Sequence, residues 1–246
     1  MKKAPSHVVV FDIDGTFTPK KPDDLVSLVN RVNRQASLPA AVQKELEDTR
    51  NLYHVRALNG VLPADAQQEW MRDTLDLYAR HGLSLPRARA VIRNIPLRSG
   101  ITACLEMLRR AEIPAAVISF GVADFVDEYL RHHGIDRLID RVYAARLRED
   151  EHGVCSGYDA SSIVVPANKG EASRHFADMH GVPYGCLLAV GDSGGDMHLG
   201  HARDNRLLIA CSAEEAAALA RFAGETVVCD DFSPVTHWLK TKLGLT

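Results

Sequence analysis

Two aspartates, one residue apart, close a run of apolar residues in "VVVFDIDGT", residues 8–16. Alternate side chains of a strand share a face, so Asp12 and Asp14 point toward one site where the strand ends. Carboxylates that close repel one another, and a bound cation or a shared proton relieves the repulsion. The pair can then divide the work, Asp12 as nucleophile and Asp14 as acid or base. Gly15 and Thr16 permit a tight turn that presents N–H groups to an anion. A second acidic pair, Asp192 and Asp196, lies in "VGDSGGDMHLG" at 190–200, where small residues let the backbone pass close to a ligand. Hard oxygen ligands from two strand ends suit Mg²⁺. In "VISFGVADF", 117–125, the strand is expected to end at Ser119, with Phe120 and Gly121 following, and a hydroxyl with free N–H groups there binds phosphate oxygens. Lys169, in "VVPANKGEASRHF", falls at a helix start, where the helix dipole disfavours a cation unless it meets an anion or solvent. Taken singly, each motif also fits an ordinary strand end, surface turn or helix cap.

These residues need a sheet to bring them together. Apolar runs at 7–11, 114–119, 141–145, 186–191, 206–211 and 226–230 have the continuous character of strands covered on both faces. Helical patterns separate most of them, including 100–113, with Ile101, Leu105 and Leu108 on one stripe, and 169–181. The alternation predicts an α/β fold with a doubly wound parallel sheet, whose ligands sit beyond the carboxyl ends of the strands. Residues 19–98 differ, for they hold no convincing strand. A helix is expected from Pro22, with Leu25, Leu28, Val29 and Val32 on one face. Further helices carry Val42, Leu46 and Tyr53, then Met71, Leu75 and Tyr78, with a shorter one at 86–95. The reading is an all-helical insert of three or four helices after strand 1.

The chain has 246 residues, 46% of them hydrophobic, and a formal charge of −3. This balance points to neither nucleic acid nor a membrane surface. No apolar run reaches the length of a spanning helix, and "MKKAPSHVVVF" lacks an apolar leader core, so a cytoplasmic location is expected. The five cysteines form no CxxC pair, which predicts reduced core thiols.

Taken together, the order DxDGT, serine after strand 2, lysine on a later helix and GDxxxD clearly resembles the haloacid dehalogenase-like superfamily. Residues 1–18 and 99–246 resemble its Rossmann-like core, and 19–98 its helical C1 cap, most like the phosphoserine phosphatase-like subgroup. The resemblance implies that Asp12 attacks phosphorus to form an aspartyl-phosphate. Asp14 protonates the leaving alcohol and then activates water. Mg²⁺ is held by the Asp12 side chain, the Asp14 carbonyl and Asp192, while Asp196 completes the acidic shell or orients Lys169. Gly15, Thr16, Ser119, Phe120, Gly121 and Lys169 would meet the phosphoryl group. The dehalogenases proper lack the second aspartate, so Asp14 argues for phosphoryl chemistry.

The expected activity is a Mg²⁺-dependent phosphomonoesterase acting on a small phosphorylated metabolite. Arg56, Lys20 and Tyr53 are cap candidates for substrate contact, and monomer and homodimer both stay open. Phosphoserine phosphatases carry a glutamate shortly after the first motif that binds the substrate amine; here the stretch is "FTPKKPDD", and the fourth motif reads "GDSGGD" in place of "GDGxND". Both departures point away from phosphoserine itself. "ISFGVADFVDEYLRHHGI" and "ANKGEA" also resemble pyrimidine 5′-nucleotidases of the same cap class. The insert carries 13 Lys or Arg against 9 Asp or Glu, a basic lid suited to an organic phosphate with a further anionic or polar part. The rivals are a phosphotransferase to an acceptor alcohol and a non-catalytic regulatory protein on the same fold.

Overall fold

The computed structural model describes residues 5–20, 27–36, 38–58 and 62–245, the side chains of 54–58 excepted. At its centre lies β1 (Val8–Phe11), four apolar residues that are fully buried. Their alternation feeds two apolar layers. Val8 and Val10 pack with Ile118, Phe176 and Leu187 on one face. Val9 and Phe11 pack with Leu105, Val117 and Val190 on the other. A strand buried on both faces reads as a continuous apolar run, which is why its sequence carries no polar alternation.

On one side of β1 lies β2 (Ala115–Val122), then β3 (Arg141–Glu149) and β4 (Cys155–Asp159). On the other lie β5 (Leu187–Gly191), β6 (Arg206–Ala210) and β7 (Glu225–Val228). All neighbours are parallel except β3 and β4, which form an antiparallel edge pair with Leu147 opposite Tyr158. The doubly wound parallel reading therefore holds for all six strands expected from the apolar runs, and β4 adds an antiparallel edge that the sequence did not announce. β2 also continues past Ser119 to Val122, through a register irregularity between Ile118 and Val122. The chain moves from β1 to β2 on one side and later returns to β5 on the other. That reversal opens a crevice at the carboxyl end of β1, where Asp12 follows.

Between β1 and β2 come four inserted helices: α1 (Leu28–Gln35), α2 (Ala40–Leu58), α3 (Ala64–Arg80) and α4 (Leu85–Ile92). The helix start expected at Pro22 lies outside the described residues; the described helix begins at Leu28, with Ser27 accepting a bond from the Asn30 N–H. Its buried face is Leu28 and Val32, and that of α3 includes Met71, Leu75 and Tyr78. These side chains join the same apolar cluster as Phe11 and Phe17 of the sheet side. The chain then enters α5 (Ile101–Arg110), followed after β2 by α6 (Ala123–His132). α7 (Lys169–Met179) precedes β5, and α8 (Ala213–Leu219) and α9 (Ser233–Leu243) complete the layers.

No disulfide joins any of the five cysteines, but only Cys104 and Cys155 are buried, so the expectation of core thiols fits two of the five. No described helix is long and apolar enough to cross a membrane.

Candidate active site

The crevice floor is built from three strand and helix ends. The Asp12 N–H donates to the Val190 carbonyl (2.9 Å), which fixes the end of β1 against β5. Lys169, the first residue of α7, is 3% exposed, and its Nζ lies 2.6 Å from both Asp12 Oδ1 and Asp196 Oδ1. The fully buried Asp196 uses its other oxygen to accept from the Asp192 N–H, the Ser193 N–H and the Ser193 hydroxyl, at 3.0 to 3.1 Å. Both Asp196 oxygens are thus engaged, and this residue orients the lysine and the turn after β5. Gly191 is required there, since a Cβ would stand 2.5 Å from the Asp196 carboxyl carbon.

Burial and charge pull these groups apart. Burial lifts the Asp12 carboxyl well above its ordinary range, against the pull of Lys169 and with Asp196 and Asp192 adding to the rise. The carboxyls of Asp14 and Asp192 are pushed up to about 6 and about 7, burial being the main cause in each. Burial would lower Lys169, but Asp12 and Asp196 outweigh it and hold the ammonium charged. Asp196 stays below its ordinary value, because Lys169 and the two N–H donors override its burial.

Asp12, Asp192 and Asp196 offer oxygens that all lie within 4.8 Å of one another. With Asp196 engaged, Asp12 and Asp192 are the carboxylates left to meet a cation. Lys169 meets Asp12 and Lys20 meets Asp192 Oδ2 (3.2 Å), yet burial still raises both carboxyls, and these close, buried carboxylates make an all-oxygen donor set that fits a hard divalent ion such as Mg²⁺.

The turn after Asp14 departs from its expected role. The Gly15 N–H donates to Thr18 Oγ1 (2.7 Å) and the Thr16 N–H to the Ile13 carbonyl (3.3 Å), so neither is presented to an anion. Thr16 Oγ1 is buried without a hydrogen-bond partner among the described residues. The two residues hold the turn rather than a phosphate. Gly15 has φ +74°, and a Cβ on it would lie 2.1 Å from Asp192 Oδ2, so the turn and the β5 loop close on each other only through glycine. Asp14 Oδ1 accepts from the Leu28 N–H (2.9 Å), which ties this carboxylate to the start of α1. Ser119 is buried beside Gly121, whose missing Cβ would stand 2.9 Å from Ser119 Oγ. Phe120 contributes a wall, its ring edge-on to Trp70 at 5.4 Å.

A cavity of about 280 Å³ covers Asp12, Asp14, Lys169 and Asp192. The inserted helices line it with Asn30, Asn33, Arg50 and Thr74, and with no carboxylate among the described residues. Neither Arg50 nor the asparagines stood out in the sequence, since polar residues on an amphipathic helix look alike until a partner face exists. Of the cap candidates, the Arg56 side chain lies outside the described residues. Tyr53 is buried, donates to Asp73 (2.9 Å) and stacks on Trp70 at 5.8 Å, so it supports the wall. Lys20 is corrected outright. Its Nζ donates to the Asp192 carbonyl (2.7 Å), the Ile209 carbonyl (3.2 Å) and Glu215 Oε1 (2.6 Å), so it braces the β5 and β6 loops and is not part of the cavity wall.

A family model for haloacid dehalogenase-like hydrolases matches residues 9–201. The phosphoserine phosphatase SerB2 of Mycobacterium tuberculosis is 26% identical over 197 residues, which cover 78% of this chain and 41% of that protein. The chain therefore spans about two fifths of the length of that curated relative. Among solved structures, a cytosolic 5′-nucleotidase IIIB bound to cytidine aligns with a TM-score of 0.78 at 19% identity, over 97% of this chain and 85% of that one. A phospho-aspartyl intermediate analogue of phosphoserine phosphatase aligns with a TM-score of 0.67 at 18% identity, over 95% and 99%. At these identities the structural likenesses speak to the fold.

Proposed function

The chain belongs to the haloacid dehalogenase-like hydrolases, and on that premise we propose that it is a Mg²⁺-dependent phosphomonoesterase working through an aspartyl-phosphate on Asp12. The observation that carries the reading is the placement of Lys169 Nζ 2.6 Å from both Asp12 and Asp196, under a cavity that Asp14 and Asp192 also line. Lys169 holds Asp12 Oδ1, and the other oxygen of Asp12 attacks phosphorus as the ester oxygen departs. Asp14 delivers its proton to that leaving oxygen, then takes one from the water that attacks the phosphorus and frees Asp12. The Asp12 and Asp192 side chains and the Asp14 carbonyl would hold Mg²⁺, which would supply positive charge for the phosphoryl oxygens. Here positioning and charge do most of the work, as in phosphoryl transfer generally. The inserted helices act as the lid over this site.

The lid wall presents Arg50, Asn30 and Asn33 and, among its described residues, no acid to meet an amine. This supports a small organic phosphate with a further anionic or polar group. A nucleotide substrate is the second reading. It is favoured by an apolar recess of about 680 Å³ that shares Trp70 and Phe120 with the cavity and is walled by Leu62, Met197 and Phe222, a place for a flat leaving group.

Asp12→Asn is expected to abolish hydrolysis of p-nitrophenyl phosphate while leaving the circular dichroism spectrum near that of the parent. Turnover at the parent rate would contradict the assignment of the nucleophile.

A further inference from the structure

Arg98 is a buried guanidinium without a carboxylate partner among the described residues. It is 4% exposed and sits where the chain returns from the inserted helices toward α5. Its Nε donates to the Thr16 carbonyl (2.9 Å), and its Nη2 to those of Gly15 (2.6 Å) and Thr18 (3.4 Å). Nη1 donates to the Cys229 carbonyl (2.9 Å), and the Arg98 backbone N–H takes the Phe17 carbonyl (2.8 Å). One residue thus engages all four consecutive carbonyls of the turn that leaves Asp14.

A buried cation is costly unless it is paired, and pairing usually means an acid. Here the charge is balanced on fixed backbone dipoles through charge-assisted bonds, which are about twice as strong as neutral ones. The planar fork can reach several carbonyls at once, as a lysine cannot. The turn's own N–H groups bond locally, Gly15 to Thr18 Oγ1 and Thr16, Phe17 and Thr18 to the Ile13 carbonyl, with Gly15 at φ +74°; its carbonyls are held from outside, by Arg98 and, at Phe17, also by the Tyr129 hydroxyl (3.3 Å). Asp14 itself is anchored by the Leu28 N–H of α1, on the lid side. Arg98 supplies the anchor on the core side.

We propose that Arg98 is a positioning residue for the acid step: by fixing carbonyls 15–18 it sets where the Asp14 carboxyl stands relative to the leaving oxygen. The inference rests on the phosphomonoesterase reading above.

Leaving-group dependence tests it, because a misplaced acid harms only esters that need a proton to depart. Parent, Arg98→Met and Asp14→Asn would be compared by kcat/KM on phenyl phosphate and on 2,4-dinitrophenyl phosphate, whose phenolate leaves unprotonated. A positioned general acid is worth about 10²- to 10⁴-fold, and small misplacements lose a large part of it. Arg98→Met is expected to lose about 10²-fold on phenyl phosphate and only a few-fold on the dinitrophenyl ester, in the same sense as Asp14→Asn. Arg98→Lys keeps the charge without the fork and should show a smaller loss with the same bias, which carries the test if Arg98→Met does not fold. Equal losses on both esters for a folded Arg98 variant would overturn the proposal while Asp14→Asn still shows the bias. So would failure of both variants to fold, which would make the role structural. An unbiased Asp14→Asn would instead overturn the acid assignment on which the proposal stands.

Discussion

Lys169 occupies a helix start, a place the helix dipole disfavours for a cation, and the two carboxylates it bridges at 2.6 Å are what keep it there. Removing one member of a buried charged cluster leaves the others uncompensated, at a cost of about 3–5 kcal/mol. Lys169→Met should therefore lower stability at neutral pH by a few kcal/mol, read from urea unfolding, and cut turnover by more than about 10²-fold. At this scale Asp12, Asp14, Lys169, Asp192 and Asp196 were legible in the sequence, because each sits in a short stretch whose residue types already suggest chemistry. Lys20 was read as a lid contact and Arg98 was not singled out at all. Their partners are remote: Lys20 meets Asp192 across 172 positions and Arg98 meets Gly15 across 83, and no local spacing announces such a return. Arg50 was missed for the related reason that only a cavity distinguishes it from the other arginines of the inserted helices.

At the level of elements, the central strands were readable because burial on both faces leaves continuous apolar runs, as in β1 and β5. β4 was not, since "CSGYD" has one buried residue in five and pairs only as an edge. The end of β2 was placed at Ser119 because a serine and a glycine resemble a turn, whereas the strand absorbs them through an irregular register. Helices α1 to α4 were anticipated from their apolar stripes, and the stripes pack into the cluster that holds Phe11 and Phe17. The junction of two elements gives a sharp test. Gly15 lets the β1 turn and the β5 loop approach, and an alanine there meets both the positive φ and a Cβ 2.1 Å from Asp192 Oδ2. The backbone term alone costs about 1–2 kcal/mol. Gly15→Ala should lower the urea midpoint by at least that equivalent and also weaken Mg²⁺ binding by titration calorimetry, because Asp192 must move.

Across the whole molecule, the sheet reversal, the lid and the acidic floor converge on one cavity, and its charge makes stability depend on protons and metal together. The carboxyls of Asp14 and Asp192, raised to about 6 and about 7 by burial, hold protons in the folded protein that the unfolded chain has already released. For acids raised in this way, lowering the pH from neutral stabilises the fold, and raising it through these values removes that contribution. Mg²⁺ requires the Asp12 and Asp192 carboxylates deprotonated, both of them raised by burial, and so gains where their protons are lost. The rise in melting temperature on adding saturating Mg²⁺ should therefore be larger at about pH 7.5 than at about pH 5.5. An equal or smaller rise at the higher pH would contradict the assignment of the Asp12 and Asp192 carboxylates to the metal. Whether Asp12 carries the phosphoryl group is decided by rapid acid quench during turnover, borohydride reduction of the acyl phosphate and peptide mass mapping. Reduction of the side chain at position 12 alone is expected, absent without substrate. A reduced residue elsewhere, or none during active turnover that demonstrably accumulates phosphoenzyme, would contradict it.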